Sequence, residues 1–194
     1  MAFSDFKSMA QVQEKYRIKY AEENFIEYAD LLPTPVFLAE FEFNRQNIDV
    51  FSSEASRCEN VIYPVLREVF KSFTDRYALW SHKALIYDEQ LNGTPDYLIS
   101  TKSELGKTVL GLPIVVAVEA KQNNFTEGWG QCLAEMVAAQ KLSGDSYAPV
   151  YGIVTDGEAW QFGKLVDRIF TKQRTRLTID DLAQLFGAIA YLLH

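Results

Sequence analysis

The spacing of apolar residues along this chain predicts which segments are helices and which are strands. Between residues 53 and 73, apolar side chains recur every three or four positions, as in an amphipathic helix. Ser52 or Ser53 would cap this helix, and Pro64 would kink or break it. The same spacing predicts helices over residues 129–142 and 178–193.

Short apolar runs bounded by turn residues predict the strands. They cover residues 79–87, 96–100, 114–121, 150–155 and 159–163. The pair Asp156-Gly157, between the last two, is typical of a tight hairpin turn. This order of helices and strands predicts an α/β fold with a central mixed sheet flanked by helices.

The first fifty residues show a weaker pattern. Residues 4–28 are charged and favour a helix, whereas residues 36–43 predict a strand after two prolines. No repeat or Gly/Ser-rich linker divides the sequence. We therefore expect a single domain over residues 1–194, with an N-terminal helical extension (1–50), a core (51–170) and a C-terminal helix (171–194).

Composition narrows the class of protein. A chain of 194 residues that is 48% apolar can bury a core, and no apolar run approaches the roughly 18 residues of a membrane span. No leader pattern opens the sequence, so a cytoplasmic protein without a membrane partner is expected. The net charge of −7 argues against nonspecific coating of nucleic acid but permits a local basic groove.

Cysteine and histidine are scarce. Cys58 and Cys132 lie outside any CxxC pair and are expected to be buried thiols. With only two histidines, a metal site must be built mainly from carboxylates, which suit magnesium or manganese.

Three charged residues at strand ends are the main candidates for chemistry. Glu119 and Lys121 are two positions apart in a strand and so point to the same face. If strands 96–100 and 114–121 pair antiparallel, Asp96 stands about 5 Å from Glu119. Two such carboxylates repel by about 4 kcal/mol at an effective dielectric of about 20, and a shared divalent cation would reverse that cost.

A simple salt bridge is the alternative for this group. An acid-x-Lys triplet also occurs at Asp5-Phe6-Lys7, in a charged segment. Glu119 differs because it follows the apolar run 114–118, where an unpaired charge is costly. Both interpretations remain open from the sequence.

Glu54 is the candidate acid of the first long helix. It falls within the apolar stripe of that helix, whereas Glu59 lies off it. A carboxylate on the sheet-facing side can reach a site at the strand ends. A favourable interaction with the helix dipole explains Glu54 equally well.

These elements together resemble the PD-(D/E)XK, or restriction-endonuclease-like, nuclease superfamily. The similar motifs are Gly93-Thr94-Pro95-Asp96-Tyr97-Leu98, Val118-Glu119-Ala120-Lys121 and Gly128-Trp129-Gly130-Gln131. The stretch from Tyr151 to Trp160 is also similar to the hairpin of the nuclease domain of type I restriction enzymes.

The resemblance implies a restriction-endonuclease-like core and a metal-dependent endonuclease. Asp96, Glu119 and the Ala120 carbonyl would hold magnesium or manganese, with Glu54 as a further ligand through water. Lys121 would orient or activate the attacking water. Gln131 would position substrate, although Glu135 stands where some of these nucleases have tyrosine; a solvated first-turn glutamine is the alternative.

Other signals are weaker. Gly106-Lys107-Thr108 lacks the earlier glycine and the following helix of a P-loop. His82 has no partner set for a hydrolase triad. Residues 164–176 carry five basic side chains and one acid, which suits either a phosphate backbone or a solvated surface.

The sequence thus predicts a magnesium-dependent endonuclease acting on nucleic acid, with DNA favoured over RNA. A homodimer would let two such sites act on two strands. The competing hypothesis is a catalytically inactive nuclease-fold module that binds nucleic acid or protein.

Overall fold

The computed structural model describes residues 2–194, and its centre is a mixed sheet of eight strands. Along the sheet the order is β1-β9-β8-β7-β6-β5-β2, and β10 pairs with β8. A two-stranded sheet, β3 and β4, lies apart. The strands are β1 (Lys19–Glu23), β2 (Tyr77–Ser81), β3 (Leu85–Ile86), β4 (Asn92–Gly93), β5 (Tyr97–Thr101), β6 (Ile114–Ala120), β7 (Val150–Thr155), β8 (Ala159–Val166), β9 (Ile169–Gln173) and β10 (Leu177–Thr178).

Helices cover both faces of this sheet. They are α1 (Met9–Tyr16), α2 (Pro35–Asn47), α3 (Glu54–Arg57), α4 (Tyr63–Phe70), α5 (Phe125–Ser143) and α6 (Leu182–Tyr191). One buried apolar cluster includes residues of α2, α4 and α6, and a second includes residues of α1 and α5. The predicted α/β class, a central mixed sheet flanked by helices, is confirmed.

The first long helix contains a wide turn before its proline. Ser53 caps α3 through its hydroxyl, which accepts from Ser56 N at 3.1 Å. The residues Cys58–Ile62 then form a π-helical turn leading into α4. Pro64 has no N–H for the regular bond to residue 60, so the predicted disturbance of the helix takes this form. Such turns are often found at functional sites.

The N-terminal fifty residues differ from the prediction in two places. Residues 36–43 lie within helix α2, not a strand, because Pro35 stands at a first-turn position where its missing N–H costs nothing. The side chain of Thr34 caps that helix by accepting from Phe37 N. After α1, Arg17 takes a left-handed conformation (φ 57°), and β1 joins the sheet parallel to β9. The extension therefore contributes a strand as well as helices.

Two further elements have boundaries that differ from the predicted ones. The strand predicted over residues 79–87 is interrupted at His82, whose φ of 47° is left-handed, so β2 and β3 are separate. The C-terminal helix begins at Leu182, capped by the side chain of Asp181. Strand β10 and the end of β9 occupy part of the segment 171–194.

The cysteine prediction is confirmed, since Cys58 and Cys132 are buried free thiols. In the described part of the chain, none of the helices has the length and apolar character needed to cross a membrane.

Candidate metal-binding active site

Asp96 and Ala120 are brought together by the pairing of β5 with β6. The strands run antiparallel, with Tyr97 opposite Val118, so the residue before β5 lies beside the end of β6. Asp96 Oδ2 accepts a hydrogen bond from Ala120 N at 2.7 Å. Because N–H and C=O of one extended residue lie at the same strand edge, the Ala120 carbonyl also opens on the Asp96 side.

Glu119 and Lys121 form an ion pair at the same strand end. Lys121 Nζ lies 2.8 Å from Glu119 Oε1. The Lys121 side chain is 21% exposed and the Glu119 side chain 7% exposed. Their predicted shared face is therefore observed. The pair is largely removed from water, unlike the solvated salt bridge that the sequence left as the alternative.

Glu54 reaches this group from the start of α3. Its Oε2 accepts from Gln122 N, one residue beyond Lys121, at 3.3 Å. Glu54, Glu59 and Asp96 all line a cleft of about 520 Å³ between the first helix and the β2–β5 edge. The structure thus brings Glu54 and Glu59 of this helix to the cleft, with Glu54 in contact with the strand end.

Glu135 is the acid that the sequence did not assign to the site. It lies on α5, is 1% exposed, and its carboxyl group is hydrogen-bonded to that of Glu119. Its Oε2 is buried without a hydrogen-bond partner among residues 2–194. One sequence signal could have found it: Glu135 is polar on a helix whose neighbouring positions are nearly all apolar.

The electrostatics of the cluster follow from this burial. Burial and the Asp96 carboxylate raise the pKa of Glu119 to about 7, although Lys121 opposes the shift. Burial and the adjacent Glu119 hold the pKa of Glu135 well above its usual range. Burial would lower the pKa of Lys121, but the charge and hydrogen bond of Glu119 raise it on balance. Lys121 therefore holds its proton more tightly than a free lysine does, and Glu135 holds a proton more tightly than a free glutamate does.

A glycine lets helix α5 approach the lysine. A Cβ atom at Gly128 would stand 2.7 Å from Val154 Cγ1 and 3.0 Å from Lys121 Cγ. Such distances are well inside van der Waals contact. The first turn of α5 therefore packs directly against the Lys121 side chain.

Gln131 is buried on α5 and bonds to Glu127. It is 5% exposed, so it is not a solvated glutamine, and its Nε2 donates to Glu127 Oε1 at 3.5 Å. It stands one helical turn before Glu135. Among residues 2–194 it has no hydrogen bond to Asp96, Glu119 or Lys121, and its predicted role in substrate positioning stays a prediction.

The basic run over residues 164–176 is spread over β8, β9 and the loop to β10. Lys164 Nζ lies over the ring of Phe25, Lys172 Nζ over Trp129 and the Arg176 guanidinium over Phe125. The last two place positive charge at the start of α5, the helix that follows Lys121.

The donor set suits a hard cation. Carboxylate and carbonyl oxygens are the ligands preferred by Mg²⁺ and Mn²⁺. The buried Glu135 Oε2 has no hydrogen-bond partner among residues 2–194, and the cluster contains more carboxyl groups than basic side chains. Among residues 2–194, however, no three His, Cys, Asp or Glu side chains are already grouped as metal ligands. Asp96, Glu119 and the main-chain carbonyl of Ala120 would supply the oxygen ligands.

Comparisons with known proteins leave the family open. No family model matches the chain, and no curated protein matches it. A cryoEM structure of a DrdV–DNA complex is similar over 83% of this chain, at 13% identity and a TM-score of 0.47. The match covers 14% of the DrdV chain.

Proposed function

We propose that this protein is a divalent-cation-dependent endonuclease that hydrolyses phosphodiester bonds in nucleic acid, with DNA as the favoured polymer. One observation supports this most strongly. Two adjacent strand ends bring Asp96, Glu119 and Lys121 together, through an Asp96–Ala120 hydrogen bond of 2.7 Å and a Glu119–Lys121 contact of 2.8 Å. The PD-(D/E)XK resemblance assigns these same residues.

Magnesium or manganese is the proposed cofactor. Asp96, Glu119 and the Ala120 carbonyl would hold it, and Glu54 would contribute through a water molecule. When bound, such a cation would neutralise charge on the phosphate and lower the pKa of a coordinated water.

The other residues act on water and on the ligands. Lys121 retains its proton and so serves as a hydrogen-bond donor that orients the attacking water. Its ammonium group also offsets part of the negative charge of Glu119. Glu135 holds a proton beneath Glu119 and fixes the orientation of that carboxylate through their hydrogen bond.

A binding module without catalysis is the second candidate. The ion pair between Glu119 and Lys121 favours it, because the pair satisfies both charges without a cation. A module of this kind would bind nucleic acid without depending on a cation at Asp96.

Cleavage of supercoiled, linear and single-stranded DNA, and of RNA, in magnesium or manganese tests the proposal. We expect the wild-type protein to cut DNA, and Asp96→Asn and Glu119→Gln to reduce the rate by at least about 10²-fold. Lys71→Ala is the matched control, since Lys71 also forms an ion pair with a buried glutamate, Glu68, at 2.6 Å, and neither residue lines the cleft. Cation-independent binding without cleavage would favour the second candidate.

Dimerisation is a separate part of this proposal. Two copies would present two sites to the two strands of a duplex. Sedimentation equilibrium with and without DNA tests it, and a monomer under both conditions would exclude it.

A further inference from the structure

His82 lines the cleft of the candidate site and has an unusual backbone conformation. Its φ of 47° is left-handed, a conformation that is uncommon for residues other than glycine and that concentrates at functional sites. The backbone N–H of His82 donates to the Asp96 carbonyl at 2.9 Å. The end of β2 is therefore tied directly to the acid at the start of β5.

The imidazole of His82 remains accessible to the cleft. Its Nδ1 lies 3.7 Å from Asp96 Oδ1, and the side chain is 59% exposed. This separation is too long for a firm hydrogen bond, and Asp96 is the only polar partner of the imidazole among residues 2–194. The ring is thus held beside the acid but retains its capacity to donate.

The acidic lining of the cleft makes a hydrogen-bond donor on His82 important. The carboxylic acids Glu54, Glu59 and Asp96 line the wall, and its described lining residues include no lysine or arginine. A nucleic-acid backbone would meet repulsion there. Lys121 lies at the strand end, paired with Glu119, which leaves His82 as the nitrogen donor on this side of the cleft.

We propose that His82 is a substrate-binding residue whose imidazole donates a hydrogen bond to a backbone phosphate of the nucleic acid, next to the phosphate that is cut. This inference rests on the proposed nuclease function. His82 lines the cleft, and its exposed ring offers the side-chain nitrogen donor that the lining residues otherwise lack.

Substitutions that accept the left-handed backbone provide the test. Glycine and asparagine both tolerate a positive φ, so His82→Gly and His82→Asn keep the turn while removing the imidazole. We expect melting temperatures near that of the wild type. We expect KM for DNA to rise about tenfold with kcat changed less than about threefold, because a uniform binding contact is lost.

A substrate with one uncharged phosphate analogue distinguishes a direct His82–phosphate contact from a structural effect of the substitution. After the cut position is mapped, a substrate with one methylphosphonate at the phosphate beside the cut is compared with the normal one, by fluorescence anisotropy in calcium. Wild-type affinity should fall about tenfold with this substrate, whereas His82→Gly should bind both equally.

The outcomes are distinct. If the wild type cleaves DNA and both His82 variants keep KM within twofold, the His82 inference is wrong and the nuclease proposal stands. If His82→Gly loses affinity equally for both substrates, the effect is structural and the inference is also wrong. If the wild type cleaves no nucleic acid, both proposals fail.

Discussion

Glu119 and Glu135 are hydrogen-bonded to each other inside the protein, although both are carboxylic acids. The bond requires one proton, and burial raises the pKa of both carboxyl groups, which favours retention of that proton. Lys121 supplies one positive charge next to this pair. The stability of the cluster must therefore depend on pH, which leads to the first two predictions.

We expect the metal-free protein to lose stability as pH rises from about 4.5 to about 7. The pKa of Glu119 is raised from 4.5 to about 7 by burial and by Asp96, so the folded state binds this proton more tightly than the unfolded chain does. Its contribution is complete below pH 4.5 and is lost as pH rises through 7, at up to about 1.4 kcal/mol per pH unit. Urea denaturation across this range measures the loss.

The variant Glu119→Gln identifies the source of that dependence. Glutamine has no proton to lose, so the stability difference between wild type and variant should change steadily between pH 4.5 and 7. Saturating magnesium should also flatten the wild-type curve, because a bound cation favours the ionised carboxylate. A difference that stays constant with pH would contradict the assignment.

Glu135→Gln should leave the fold intact and make it less sensitive to alkaline pH. The glutamine amide can donate to Glu119 without holding a titratable proton. We expect stability within about 0.5 kcal/mol of wild type at pH 5 and above wild type at pH 8. Glu135→Leu is the comparison variant, since loss of the hydrogen bond leaves Glu119 short of a partner and costs about 1–3 kcal/mol. Equal stability of the two variants at pH 8 would exclude the hydrogen bond.

Lys121→Met should reduce the cleavage rate strongly and should lower the free energy of unfolding only at higher pH. Without the ammonium group, Glu119 loses the positive charge that lies 2.8 Å from its carboxylate, so it takes up a proton more readily. We expect near wild-type stability at pH 5 and a loss of about 2 kcal/mol at pH 8, with at least about 10²-fold slower cleavage. Circular dichroism melts at the two pH values check the expected stabilities, and the control Lys71→Ala should leave cleavage unchanged.

Gly128→Ala should disturb Lys121 through packing alone. The added methyl group would meet Val154 Cγ1 at 2.7 Å and Lys121 Cγ at 3.0 Å, so α5 or the lysine must shift. Overpacking of this kind costs about 1–3 kcal/mol. Thr126→Ala, an exposed position in the same helical turn, serves as the control. Equal melting temperatures and cleavage rates for the two variants would show that the contact is unimportant.

The sequence by itself determined the elements with strong local patterns. Strand β7 lies where the apolar run predicts it, and α5 contains the predicted helix. Both are buried over most of their length, and a continuous apolar run is visible in successive residues of the sequence. The shared face of Glu119 and Lys121 follows from the same geometry, since side chains two positions apart in a strand point the same way.

Tertiary structure decided the rest. Residues 19–23 became a strand by pairing with β9, which is remote in sequence. Residues 36–43 differ, because the signals that make them a helix, Pro35 in the first turn and the Thr34 cap, are local and stand in the sequence itself. The places of Glu135 beneath Glu119 and of His82 beside Asp96 depend on how separate elements pack together. Local spacing carries no information about such distances, and so only the assembled fold completes the site.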